Sequence, residues 1–132
     1  VSFLYWNIIF EPDPTADAVQ LSLNDEQVLA LHREEIRDII DWTRTQEIDL
    51  AFVVWAHPVA MDAHAPLLNT VRAVLEAEDV PYVDMQPIMA PYPVLERIVT
   101  AYDAHPSAAM HRLAADALHN TLEQTGLIEA ER

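Results

Sequence analysis

The chain of 132 residues contains no cysteine, no lysine and a single glycine. Without cysteine it has no disulfides, no thiol nucleophile and no cysteine-ligated zinc site. One glycine is too few for the glycine-rich loops that hold phosphate groups, so mononucleotide- and dinucleotide-binding motifs are excluded. The absence of cysteine leaves the cellular compartment undecided.

Basic residues are scarce as well: the chain has seven, all of them arginine, against 22 acidic residues, and its formal net charge is -15. This charge repels nucleic acids and anionic membrane surfaces, so neither is an expected partner. No apolar stretch approaches the roughly 18 to 20 residues of a spanning helix, so membrane insertion is not expected. The acidic, lysine-free composition fits either a GC-rich genome or a salt-adapted protein.

Apolar segments alternate with amphipathic segments along the chain. Residues 1–10, 50–56 and 82–85 are short, nearly continuous apolar runs, which is typical of strands buried on both faces of a parallel sheet. Amphipathic spacing predicts helices over residues 24–46, after Pro66, and between Ser107 and Gly126. The order of strands and helices predicts a single α/β domain with a parallel sheet.

Each predicted helix has a start signal or an apolar face. Asn24 is the expected N-cap of the first helix and Ser107 of the last. Pro66 suits the first turn of the second helix. A short helix is expected within residues 94–101. The predicted buried faces of the first two long helices consist of Val28, Leu31, Ile36, Ile39 and Ile40, and of Leu67, Leu68, Val71, Val74 and Leu75.

Asp103 and His105 lie immediately before the last predicted helix. Pro106 disfavours helical backbone at His105, so the pair is expected on a loop. A histidine can take a proton from a hydroxyl and return it to a leaving group, while a nearby carboxylate fixes the histidine tautomer. The same spacing also arises where an aspartate stabilises a turn and the histidine is an ordinary surface residue.

The run Asp-x-His-Pro-Ser at residues 103–107, followed by His-Arg-Leu-Ala-Ala from residue 111, resembles the last conserved block of the SGNH (GDSL-type) hydrolases. The commoner family spacing is Asp-x-x-His. The resemblance implies a three-layer α/β/α, flavodoxin-like fold with a parallel sheet, of which residues 1–132 form the C-terminal part. It also implies a serine esterase or O-acyltransferase that acts on a small-molecule or carbohydrate ester and needs no cofactor.

The same resemblance assigns roles to three residues. Asp103 is the orienting acid, His105 is the general base, and Asn7 donates a hydrogen bond to the oxyanion. The family usually has an aspartate after that asparagine, whereas Ile8 follows Asn7 here.

The chain offers no evident nucleophile. None of Ser2, Ser22 and Ser107 lies in a glycine-flanked turn between a strand and a helix. The attacking serine is therefore expected upstream of Val1. If residues 1–132 are the whole gene product, a non-catalytic α/β binding or assembly module is expected instead. A third hypothesis is a metal-dependent hydrolase, with ligands drawn from His57, Asp62, His64, His105 and His111.

Overall fold

The computed structural model describes residues 25–129, which form a mixed α/β structure with more helix than strand. The predictions for residues 1–24, including the strand over residues 1–10 and the role of Asn7, concern residues outside the described part of the chain. The elements are α1 (Glu26–Thr45), β1 (Phe52–Val54), a 3-10 turn (Met61–His64), α2 (Ala65–Ala77), β2 (Tyr82–Asp84), α3 (Met85–Met89), α4 (Val94–Arg97), β3 (Ile98–Thr100), β4 (Asp103–Pro106) and α5 (Ala108–Gln124).

The strands β1 and β2 form a parallel pair, with Phe52 opposite Tyr82 and Val54 opposite Asp84. The helix α2 connects them, so the α/β class and the parallel pairing are confirmed for this part of the chain. Both strands are shorter than predicted. At the end of β2 the carboxylate of Asp84 accepts a hydrogen bond from the backbone N–H of Gln86 at 2.9 Å. This cap starts α3, so Met85 is the first residue of a helix rather than the last of a strand.

Residues 98–106 differ from the prediction. The short helix expected over residues 94–101 ends at Arg97, and β3 then pairs with β4 as an antiparallel hairpin. Ile98, Val99 and Thr100 are all β-branched, which favours extended backbone over helix. Asp103 and His105 therefore lie on a strand and not on the loop that the sequence suggested.

The core lies where α1, α2 and α5 pack with the parallel pair. Its most buried side chains are Ile40, Val74, Leu75, Met85, Met89 and Met110. The predicted stripe of α1 is only partly correct: Ile40 is buried, whereas Leu31 and Ile39 are 54% and 48% exposed. Among the described elements α1 packs chiefly against α2, so only a narrow seam of its surface is covered. Leu29, which lies outside the predicted stripe, is buried.

The helix starts agree with the predictions to within one residue. Asp25, rather than Asn24, caps α1, because its carboxylate accepts a hydrogen bond from the backbone N–H of Gln27 at 2.8 Å. Ser107 caps α5 as predicted, and Pro66 lies in the first turn of α2. Within residues 25–129, no helix combines the length and the apolar character that a bilayer crossing requires.

The three long helices end in the same way. The second residue beyond each helix has a left-handed backbone, and the N–H that follows donates to a carbonyl five residues earlier, at 3.0, 2.9 and 2.9 Å. This is the Schellman motif, in which glycine is the usual left-handed residue. The chain has one glycine, so the three positions are occupied by Glu47, Asp79 and Gly126, with φ of 55°, 54° and 73°.

Candidate active site

The side chains of Asp103 and His105 are in direct contact. The Nδ1 atom of His105 lies 2.6 Å from Oδ1 of Asp103, and the backbone N–H of His105 donates to the same oxygen at 3.0 Å. Side chains two residues apart on a strand point to the same face. Because β4 is extended, the short Asp-x-His spacing is sufficient to bring the carboxylate and the imidazole together.

Hydrogen bonds from His105 favour the ionised form of Asp103. The backbone N–H of His105, and then its imidazole, hold the pKa of Asp103 below its ordinary value of 3.8. An ionised carboxylate can only accept hydrogen bonds, so Nδ1 of His105 is the donor. In the neutral imidazole the free lone pair is then on Nε2, which is the arrangement that a general base needs. The His105 side chain is 87% exposed, so this nitrogen is accessible.

A cavity of about 320 Å³ lies beside the pair. Its lining comes from residues 102–106, on one side, and from His57 and Pro58, on the other. His57 follows β1 by three residues, at the carboxyl end of the parallel pair, where open α/β sheets bind their ligands. The sequence suggested His57 only as a metal ligand. Its position directly after a buried strand is the signal that could have indicated a role in this site.

The imidazole of His57 is held by its own loop. The backbone N–H groups of Val59 and Ala60 both donate to Nδ1 of His57, each at 3.3 Å. The ring of His64 lies 5.5 Å away, measured between centroids. Partial burial lowers the pKa of His57, and the nearby rings of His64 and His105 lower it further.

Arg97 links the two sides of the cavity, and sequence reasoning missed it. Its guanidinium donates to the carbonyl of Pro58 at 3.2 Å and to that of Tyr92 at 2.6 Å. Its own carbonyl accepts a hydrogen bond from the backbone N–H of Ser107 at 2.7 Å. Arg97 therefore ties the loop after His57 to the end of the hairpin that carries His105.

The only serine among residues 25–129 is not available for attack. The hydroxyl of Ser107 donates to the carbonyl of Glu96 at 2.7 Å and accepts from the backbone N–H of Met110 at 3.4 Å. Its role is structural, since it caps α5 and fixes the preceding turn.

The histidines do not converge on a metal site in the described part of the chain. No group of three or more metal-ligating side chains is arranged to hold an ion there. His111, one of the suggested ligands, has its ring 5.3 Å from that of Trp55. The hypothesis of a metal-dependent hydrolase therefore finds no ligand set among residues 25–129.

Comparisons of the chain with protein-family models, curated proteins and solved structures give no significant match. The geometry around the cavity is thus the basis for proposing a function. It brings together a carboxylate-bound imidazole with a free Nε2, a second imidazole, and space for a small ligand. An imidazole bound to a carboxylate in this way can move a proton to and from a bound molecule.

Proposed function

We propose that this chain is the C-terminal part of a serine ester hydrolase of the SGNH type, with His105 as the general base and Asp103 as the residue that orients it. The observation that carries the proposal is the bond between Nδ1 of His105 and Oδ1 of Asp103, at 2.6 Å, next to a cavity. The carboxylate holds the imidazole in the tautomer that leaves Nε2 free to accept a proton.

In the proposed mechanism, Nε2 of His105 takes the proton of a serine hydroxyl as its oxygen attacks the ester carbonyl. The imidazolium is stabilised by the Asp103 carboxylate, and it then gives the proton to the leaving alcohol. We assign the nucleophile to a serine upstream of Val1, because Ser107 is engaged in hydrogen bonds and neither Ser2 nor Ser22 lies in a glycine-flanked turn. Asn7 is assigned to the oxyanion, as its amide N–H is a suitable donor.

The proposed substrate is a small-molecule or carbohydrate ester, and water or a second alcohol accepts the acyl group. A cavity of about 320 Å³ is at the small end of the range for ligand sites, which favours a short acyl or alcohol group. The proposed fold is the three-layer α/β/α arrangement. The parallel pair β1 and β2, with helices packed on it, supports that proposal.

The test is turnover of p-nitrophenyl acetate and labelling by a fluorophosphonate probe, both with the full-length natural polypeptide. We expect His105→Ala to lower kcat about 10³-fold or more, since loss of a triad base removes most of the proton transfer. His119→Ala, on the exposed side of α5, is the matched control and should retain turnover. Full activity in the His105 variant would contradict the proposal. Absence of turnover and of labelling in the natural protein would favour the non-catalytic binding module.

A further inference from the structure

The hydrogen bonds to His57 determine its tautomer. Two backbone N–H groups, from Val59 and Ala60, point at Nδ1, so this nitrogen must present its lone pair. A neutral imidazole with its lone pair on Nδ1 carries its proton on Nε2. His57 is therefore a donor through Nε2, which is the ring nitrogen left for a ligand.

The two histidines that line the cavity are thus in opposite tautomers. His105 donates from Nδ1 to Asp103 and offers a lone pair at Nε2, whereas His57 accepts at Nδ1 and offers an N–H at Nε2. Attack on a carbonyl needs both functions: a base for the nucleophile's proton, and a donor for the oxygen on which negative charge develops.

The surroundings of His57 favour its neutral form. His64 on the 3-10 turn and His105 on β4 are the histidines near its ring, and the Arg97 guanidinium binds the carbonyl of the adjacent Pro58. The one acid that lines the same cavity, Asp103, is bound to His105. These positive or protonatable neighbours oppose a charge on His57. Partial burial acts in the same direction, and the pKa of His57 is lowered.

We propose that His57 is a further catalytic residue, whose Nε2–H donates a hydrogen bond to an oxygen of the ester bound in the cavity. The assignment rests on the proposed function, because it is the ester carbonyl that becomes negatively charged during attack. A neutral imidazole suits this role, since it donates without giving up its proton. Removal of one such donor lowers kcat by about 10²- to 10³-fold in enzymes of this kind.

The tautomer is tested first, by long-range proton–nitrogen NMR on protein labelled with ¹⁵N-histidine at pH 7. We expect Nδ1 of His57 to be unprotonated and Nε2 to carry the proton. A charged ring, or a proton on Nδ1, overturns the inference. Titration with sodium acetate, a carboxylate probe, should shift the Nε2 resonance of His57, and an unmoved resonance counts against binding of an oxygen ligand. Neither result depends on esterase activity.

The catalytic role is tested with p-nitrophenyl acetate and two substitutions in the full-length polypeptide. His57→Gln keeps a neutral N–H donor, and we expect its kcat to stay within about tenfold of the natural protein. His57→Phe removes the donor, and kcat should fall about 10²-fold or more while KM changes less. Equal kcat values for the two variants overturn the role of the donor, whether both are high or both are low.

The controls separate this inference from the proposed function. His119→Phe, at an exposed position, should leave kcat unchanged. Loss of activity in His105→Ala with full activity in His57→Phe overturns the inference alone. Absence of turnover in the natural protein overturns the proposed function, while the NMR measurements still decide the tautomer and the binding of acetate.

Discussion

At the scale of single residues, one carboxylate oxygen positions both the backbone and the side chain of His105. Oδ1 of Asp103 accepts from both the backbone N–H and the imidazole of His105. The first bond fixes the backbone of β4 and the second fixes the ring. The same atom therefore links the local fold of the strand to the tautomer of the imidazole.

Asp103→Asn tests this link through the pH dependence of stability. The pKa of Asp103 is depressed in the folded protein, so its ionised form stabilises the fold at pH values above the ordinary 3.8. That contribution is lost as the pH falls through the lowered pKa. We expect the natural protein to exceed the variant in free energy of unfolding at about pH 5, and the gap to narrow below pH 3.8.

The measurement is the urea unfolding midpoint of both proteins across this pH range. Asp116→Asn, at an exposed position on α5, is the control for removing a negative charge without this site. A gap between the natural protein and Asp103→Asn that stays the same from pH 6 to pH 3 contradicts the prediction.

At the scale of elements, α1 and α2 are followed by a residue with an unfavourable left-handed backbone, because the chain has a single glycine. Glu47 and Asp79 occupy the left-handed position that Gly126 occupies after α5. A residue with a Cβ atom is destabilised there by roughly 1–2 kcal/mol. The hydrogen bonds of the motif form nonetheless, so the helices stop at the same kind of turn.

Replacement of Asp79 by glycine should therefore stabilise the fold. Relief of the left-handed strain contributes about 1–2 kcal/mol, and the greater freedom of glycine in the unfolded chain offsets about 0.4–1 kcal/mol of it. We expect a net gain of about 0.5–1 kcal/mol in the free energy of unfolding, measured with urea. Glu34→Gly, in the exposed interior of α1, is the control and should destabilise by a similar amount. A loss of stability in Asp79→Gly would contradict the strain argument.

The elements also show how far the sequence alone leads. Apolar runs and helical spacing located α1, α2, α5 and the parallel pair, because burial and periodicity are local signals. The hairpin of β3 and β4 was missed, since each strand is short and the pairing of strands is not encoded in a local sequence pattern. The apolar stripe of α1 was only partly correct because the sequence does not state which neighbour covers a helix.

Of the candidate site, the sequence indicated one contact and did not link it to two neighbouring residues. Asp103 and His105 are two residues apart, so their pairing is visible in the sequence, and the structure brings their side chains into contact. His57 is 48 residues before His105 in the chain, and Arg97 immediately precedes the β3–β4 hairpin. No local sequence pattern connects either residue with His105. The expected role of Asn7 stays a prediction, because residue 7 lies outside the described part of the chain.

At the scale of the whole molecule, repulsion between acids opposes folding. The formal net charge is -15, and some of the arginines form ion pairs that link one element to another. Arg44 and Arg37 of α1 both reach Glu78 after α2, at 2.9 and 3.5 Å. Exposed pairs of this kind contribute about 0–1 kcal/mol each, so they do not balance a large excess of negative charge.

Stability should therefore rise with salt. Between about 0.02 and 0.5 M NaCl the Debye length shortens from roughly 20 Å to roughly 4 Å, which screens the repulsion more than it weakens the few ion pairs. We expect a higher Tm at the higher salt concentration, measured by circular dichroism. The combined substitutions Glu34→Gln and Asp38→Asn, both at exposed positions of α1, should reduce this salt dependence. A Tm that falls with salt would contradict the prediction.

The two sides of the cavity differ in how their structure depends on the rest of the fold. Asp103 and His105 are held by bonds within three consecutive residues, so their contact survives as long as that short stretch stays extended. His57 is positioned by the loop that follows β1, which lies far from His105 in the chain, and by the Arg97 contact with Pro58. Heating is thus expected to separate residues 57–58 from residues 102–106 first. The contact between Asp103 and His105 would still be present after the cavity has opened.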